Sequence, residues 1–179
     1  MRILRRLGAA AAVLAGCALA VSAAGGESGE SGDQRPRVLR IGVGRSNPPF
    51  AFVEKGEIRG YWADLARETA LVLGYSPEIE AGVWDDIQAE VLAGGLDVAA
   101  AMADLPERRL AFDFSLPVST MTYALWVRTD SAIDSAAGLA GKRVALQRGS
   151  AAADSGALSG SSAELTFVPD DADALVLLD

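Results

Sequence analysis

Between residues 38 and 102, short apolar runs alternate with helical stripes, and glycine, proline or aspartate closes each one; this alternation restricts the fold more than any other feature. Residues 38–43 read as a strand, and Pro48, Pro49 and Gly56 punctuate a short hairpin with arms at 50–53 and 58–61. Trp62, Leu65, Ala66, Thr69, Val72 and Leu73 then recur on one helical face, with Gly74 where a C-cap belongs. Residues 77–81 form the next strand. Trp84, Ile87, Val91 and Leu92 repeat the stripe, Gly94 and Gly95 stop it, and 97–102 is a buried strand. The order βαβαβ predicts a mostly parallel sheet with helices on its faces, and ligands of such sheets bind beyond the carboxyl ends of the strands.

A helix is expected over 106–111, with Pro106 in its first turn, followed by a long β-rich run over 120–127 that includes Tyr123 and Trp126. That run is long enough to cross between lobes. Beyond Asp130 the pattern restarts: a strand at 143–147, a turn at Gly149 and Ser150 into a helix, a strand at 165–168 and a helix at 170–178. The predicted organisation is a first lobe at 38–127 and the start of a second at 128–179.

The folding unit begins near Pro36. Ahead of it, residues 1–6 carry three arginines, and 7–14 is an apolar run too short to span a bilayer. Residues 1–24 therefore read as an export signal. The stretch Leu14, Ala15, Gly16, Cys17 resembles the lipobox of bacterial lipoproteins, which implies that Cys17 is acylated and becomes the mature N-terminus. Cleavage after Ala23 or Ala24 is the alternative, and it discards Cys17. Residues 25–37, rich in Gly, Ser and Glu, have the composition of a solvated tether.

Histidine is absent and Cys17 is the single cysteine, which excludes His-based triads, zinc chemistry and a disulfide. Removal of Arg2, Arg5 and Arg6 with the leader leaves 13 basic against 24 acidic residues, a net charge of −11, so nucleic acid is excluded as a partner. Neither a phosphate loop nor a dinucleotide fingerprint occurs, and no cofactor is expected. Asp85-Asp86 and Asp170-Asp171 read as solvated faces that give no reason to invoke calcium.

Five segments stand in one order: Arg40-Ile-Gly-Val-Gly with Pro48-Pro-Phe; Gly60 with Asp64-Leu65; Trp84 with 94–98; Pro106-Glu-Arg-Arg with Asp113-Phe-Ser and Pro117; and Leu139-Ala-Gly-Lys-Arg-Val with 147–150. On these the chain from Leu39 onward resembles the family 3 extracytoplasmic solute-binding proteins that serve amino-acid ABC transporters. The resemblance implies a two-lobed α/β fold of the periplasmic-binding-protein type (Venus-flytrap, type II). It implies an exported, non-enzymatic protein that closes about 127–130 around an amino acid or small carboxylate, with an ABC permease as partner and a lipid anchor to the membrane.

For the site, the resemblance implies that Arg108 grips the ligand carboxylate through two parallel hydrogen bonds, with a solvated first-turn arginine as the ordinary alternative. Gly149 and Ser150 would complete the clamp through backbone N–H groups, and helix capping by Ser150 is compatible with that role. The resemblance also places Asn47 and Phe50 at the ligand, and a core aromatic under the Pro-Pro turn is the ordinary alternative for Phe50. Three departures bear on the ligand. Asn47 stands where many members have a stacking ring. Gly44 takes the place of a frequent acidic residue, and Asp104, before Arg108, is either an ammonium partner or a solvated loop residue. The chain also ends at Asp179, before the family's ammonium-binding aspartate and the return to the first lobe. An incomplete second lobe with uncovered apolar faces is the expectation, and weak folding with it.

Two other readings use the same fold. The spacing from Asp97 to Arg108 and the stretch Ala63-Asp64-Leu65-Ala66 look closer to ligand-sensing domains of membrane histidine kinases and cyclic-dinucleotide enzymes. A dehydratase, or a domain attached to a transglycosylase, would need a poised acid, for which the candidates are Asp104 and Glu107.

Overall fold

The computed structural model describes residues 2–3, 15–21 and 37–178. Residues 4–14 and 22–24 of the expected export signal lie outside the described residues, as does the expected tether apart from Arg37. In chain order the elements are β1 (Arg2–Ile3), β2 (Ala15–Val21), β3 (Arg37–Gly44), β4 (Ser46–Asn47), β5 (Ala51–Glu54), β6 (Glu57–Arg59), α1 (Tyr61–Val72), β7 (Tyr75–Gly82), α2 (Trp84–Ala93), β8 (Val98–Ala103), β9 (Asp113–Phe114), β10 (Ser119–Met121), β11 (Trp126–Val127), β12 (Arg143–Gln147), α3 (Ala151–Asp154), β13 (Glu164–Val168) and α4 (Asp171–Val176).

The first lobe is built on β3, which pairs in parallel with β7 along its whole length and with β8 where Ile41 faces Val98 and Gly42 faces Ala99. Side chains alternate across this sheet. Ile41, Val43, Val98 and Ala100 pack under α1 against Trp62, Ala63, Ala66 and Ala70. On the other side Ile87 and Val91 of α2 meet Leu96, Ala99, Met102 and Phe112. Gly42 lets α2 come this close: a Cβ there would stand 2.5 Å from Ile87 Cγ2 and 2.7 Å from Leu96 Cδ1. Ala101 breaks the alternation of β8 with φ +68°, so Ala100 and Ala101 both turn toward the α1 side and Met102 toward α2.

β2 lies antiparallel between β8 and β10 and also pairs β9, with Cys17 in register with Ala103 on one side and Ser119 on the other. Residues read from the sequence as part of an export signal are thus a strand of the first lobe. β1 pairs β11. The hairpin of β5 and β6 covers the end of α1, with Phe50 and Trp62 stacked at 5.7 Å between centroids.

Two expected elements differ. The helix at 106–111 is only a 3-10 turn at Arg108–Leu110, because Leu105 accepts from both Arg108 N and Arg109 N and the chain extends into β9 before a second turn forms. The run at 120–127 is two short strands, β10 and β11, paired to different partners. Strand propensity becomes strand only where a neighbouring edge accepts the hydrogen bonds.

In the second lobe, β12 and β13 pair in parallel from Arg143 opposite Glu164 to Gln147 opposite Val168, with α3 and α4 after their carboxyl ends. This is a two-lobed α/β architecture whose second sheet has two strands among the described residues. Among those residues, no helix is long and apolar enough to cross a membrane, and no group of three or more Cys, Asp or Glu is placed to hold a metal ion.

Candidate ligand-binding cleft

Both sheets present their carboxyl ends to one cleft. β3 and β8 are neighbours, and Arg45 and Arg108 follow their ends; β12 and β13 are neighbours, and Gly149 to Asp154 and Asp170 follow theirs. Each arginine reaches across to one aspartate. Arg45 donates through Nε (3.0 Å) and Nη2 (2.7 Å) to Asp170 Oδ2, which holds the arginine more firmly protonated than usual, first through that hydrogen bond and then through the aspartate's charge. Asp170 is buried, and its Oδ1 has no hydrogen-bond partner.

Arg108 is the buried cation of the cleft, 6% exposed. Its Nη2 donates to Asp154 Oδ2 at 2.7 Å and to the Gly149 carbonyl at 2.6 Å, its Nε to Asp154 Oδ2 at 3.2 Å, and its Nη1 to the Ala103 carbonyl at 3.2 Å. The solvated-arginine alternative is therefore corrected: the turn at 108–110 points the side chain inward, where carbonyls and a carboxylate replace water. Gln88 of α2, also buried, donates to the same Gly149 carbonyl at 3.1 Å. Gly149 sits at φ +66°, a backbone conformation that favours glycine, and the Gln88 amide lies directly over it. Ala103, Leu105 and Ala151 form a small apolar cluster that joins the lobes beneath the ion pair.

The remaining expected site residues fall as follows. Ser150 is the N-cap of α3, its hydroxyl accepting from Ala153 N at 3.3 Å, but α3 has only 4 residues. Asp104 is not a solvated loop residue: its side chain is 13% exposed and both of its oxygens accept from Arg109, at 2.6 Å for Nε. Phe50 is half-buried against the α1 core, as its reading as a core aromatic expects. Asn47 is exposed at the end of β4. Arg45, Gln88 and Asp154 were not singled out from the sequence, and Asp170, read there with Asp171 as a solvated face, is instead buried and bound by Arg45, which replaces the water it would otherwise hold. Arg45 had a usable signal, its place just past the carboxyl end of a central strand. Asp154 and Asp170 had none, since a carboxylate after a helix start or a strand is ordinarily solvated. Beside the ion pair, a cavity of about 520 Å³ opens between α2 and the second lobe, lined in part by Asp85, Gln88, Phe112, Gly149, Asp154 and Phe167.

Two α/β lobes with sheet edges opposed across a cleft, one carrying a buried arginine and the other a glycine turn, make this a type II periplasmic-binding-protein fold. The chain belongs to the bacterial extracellular solute-binding proteins, family 3, whose family model matches residues 39–177. It is 28% identical over 139 residues to the arginine-binding extracellular protein ArtP of Bacillus subtilis (strain 168), a match covering 77% of this chain and 54% of ArtP. It is similar to the solved structure of a histidine kinase sensor domain with similarity to periplasmic binding proteins, with a TM-score of 0.75 and 30% identity over 82% of this chain and 65% of that one. It is also similar to the ancestral amino acid-binding protein AncCDT-1, a precursor of cyclohexadienyl dehydratase, with a TM-score of 0.71 and 29% identity over 79% of this chain and 65% of that one. The chain spans about half the length of the curated relatives it matches.

Proposed function

We propose that this chain captures a small amino acid between its lobes and delivers it to the permease of an ABC importer. The observation that carries the reading is Arg108, a buried guanidinium at the carboxyl edge of the first sheet, directly opposite the Gly149 turn. A guanidinium offers a carboxylate two parallel charge-assisted bonds, and the backbone N–H groups near Ser150 complete the clamp. Closure about 127–130 is favoured when one ligand touches both lobes. The net charge, −8 for the full chain and −11 without the leader (13 basic against 24 acidic residues), favours cationic ligands in the approach, and the name of ArtP makes L-arginine the first compound to try. Acylation of Cys17 belongs to the same proposal and would keep the protein at the membrane that holds the permease.

A second reading, ligand sensing for a membrane histidine kinase, is supported by the sensor-domain similarity. The two share the binding step and differ in the partner, so uptake of labelled ligand by cells lacking the chain separates them: lost uptake supports transport. The binding step itself is tested by a thermal-shift screen against the common amino acids, with Arg108→Ala and Arg108→Lys as controls. A ligand at a hundred times its Kd adds about 2.7 kcal/mol and raises Tm by several degrees. We expect one amino acid to do so and Arg108→Ala to abolish it. A flat screen, or a shift that survives Arg108→Ala, rejects the reading.

A further inference from the structure

The bonds that Arg108 would offer a ligand carboxylate are already made to a carboxylate. Nε and Nη2, the edge of the guanidinium suited to paired donation, both point at Asp154 Oδ2, and the remaining contacts go to the Gly149 and Ala103 carbonyls. Asp154 comes from the opposite lobe, at the end of α3, whose start is pinned by the Ser150 cap and by Ala151 against Ala103 and Leu105. The two partners are unequal in freedom. The Arg108 side chain is 5% exposed and that of Asp154 36%, so the aspartate is the one able to swing into water while the arginine stays. Arg45 and Asp170 form a separate bridge between the same two lobes, one that does not involve Asp154.

Resting on the amino-acid reading above, we propose that Asp154 is an internal competitor of the ligand: it occupies the carboxylate position at Arg108 and sets the affinity, because an incoming ligand binds only by displacing it. Two consequences follow from the charges. A ligand without a carboxylate gains nothing from Arg108, since a neutral group cannot repay the ion pair it breaks. Neutralising Asp154 frees the fork without altering the rest of the cleft, and affinity for a carboxylate rises.

The test is isothermal titration of the common L-amino acids, each also as its methyl ester, into the wild-type chain, Asp154→Asn, Asp154→Ser and Arg108→Ala. Asparagine keeps the shape of the side chain and one acceptor, serine removes the contact, and circular dichroism checks that each variant is folded. The expected result is a Kd at least tenfold lower in the Asp154 variants for the amino acid that binds, no such gain for its ester, and no binding to Arg108→Ala. An unchanged or weaker Kd in the Asp154 variants, with binding still dependent on Arg108, overturns the competitor while the amino-acid reading stands. Binding to none of the four proteins, or binding indifferent to Arg108, overturns both.

Discussion

Asp97 shows how a single side chain can anchor a strand that carries a site. Its Oδ2 accepts from the Arg40 backbone N–H at 2.8 Å and from Nε at 3.1 Å, and its Oδ1 from Nη2 at 2.7 Å, while Nη2 also reaches the Gly94 carbonyl. The entrance to β8 is thereby tied to β3 and to the end of α2. The Arg40 hydrogen bond holds the Asp97 carboxyl below the ordinary carboxylate range despite partial burial. A carboxylate whose pKa is lower folded than unfolded favours the folded state above its unfolded value, and that contribution fades as pH falls through the folded value. Asp97→Asn should therefore lower Tm by a few degrees at pH 7, and the gap to the wild type should close below about pH 4. Thermal melts of both proteins across that range check it; a gap that persists in acid would show that the charge is irrelevant and shape alone matters.

Elements were legible from sequence where one apolar stripe met one clear stop. α1 and α2 fall where the recurrence of Trp62 to Leu73 and Trp84 to Leu92 puts them, and Gly94, at φ +78°, closes the second as a left-handed cap. The sheet edge holding Arg108 was legible through the βαβαβ order. Its partners were not, because Asp154 meets Arg108 across 46 residues and no local pattern encodes a contact between lobes. β2 is the other illegible element. Small residues such as Ala15, Gly16 and Ala18 are equally compatible with a cleavage region and a packed strand, so the sequence offers no choice between them. The strand and the anchor make incompatible demands, since processing at Cys17 removes β1 together with Ala15 and Gly16, the partners of Met121 and Thr120. Labelled palmitate should appear on the wild-type chain in bacterial cells and not on Cys17→Ser, with residues 1–16 missing from the product. An unlabelled chain that keeps residues 1–16 leaves β2 intact and removes the anchor from the proposal.

At the scale of the molecule, the two lobes are unequally built. The first has helices on both faces of its sheet, with Ile41, Val43, Ile87, Val91 and Met102 fully buried between them. The second rests on the paired strands β12 and β13, where Leu165 and Phe167 are exposed, as are Leu175, Val176 and Leu177 along and after α4. A two-stranded sheet that buries only a few apolar side chains, Val144 and Val168 with Leu139 beside them, is marginal by itself, so the second lobe gains much of its order from the first. The joining contacts are few: the ion pairs of Arg45 and Arg108, the Gln88 bond to Gly149, and the small cluster around Leu105. Opening free energies should then be graded, with the second lobe opening without the first. Native-state hydrogen exchange checks this directly. Amides of β12 and β13 should exchange well before those of β3, β7 and β8, and a bound amino acid should slow them most, because it replaces the interlobe contacts with stronger ones. Uniform exchange across both sheets would instead mean that the lobes unfold as one unit, and that ligand binding has no separate second-lobe order to supply.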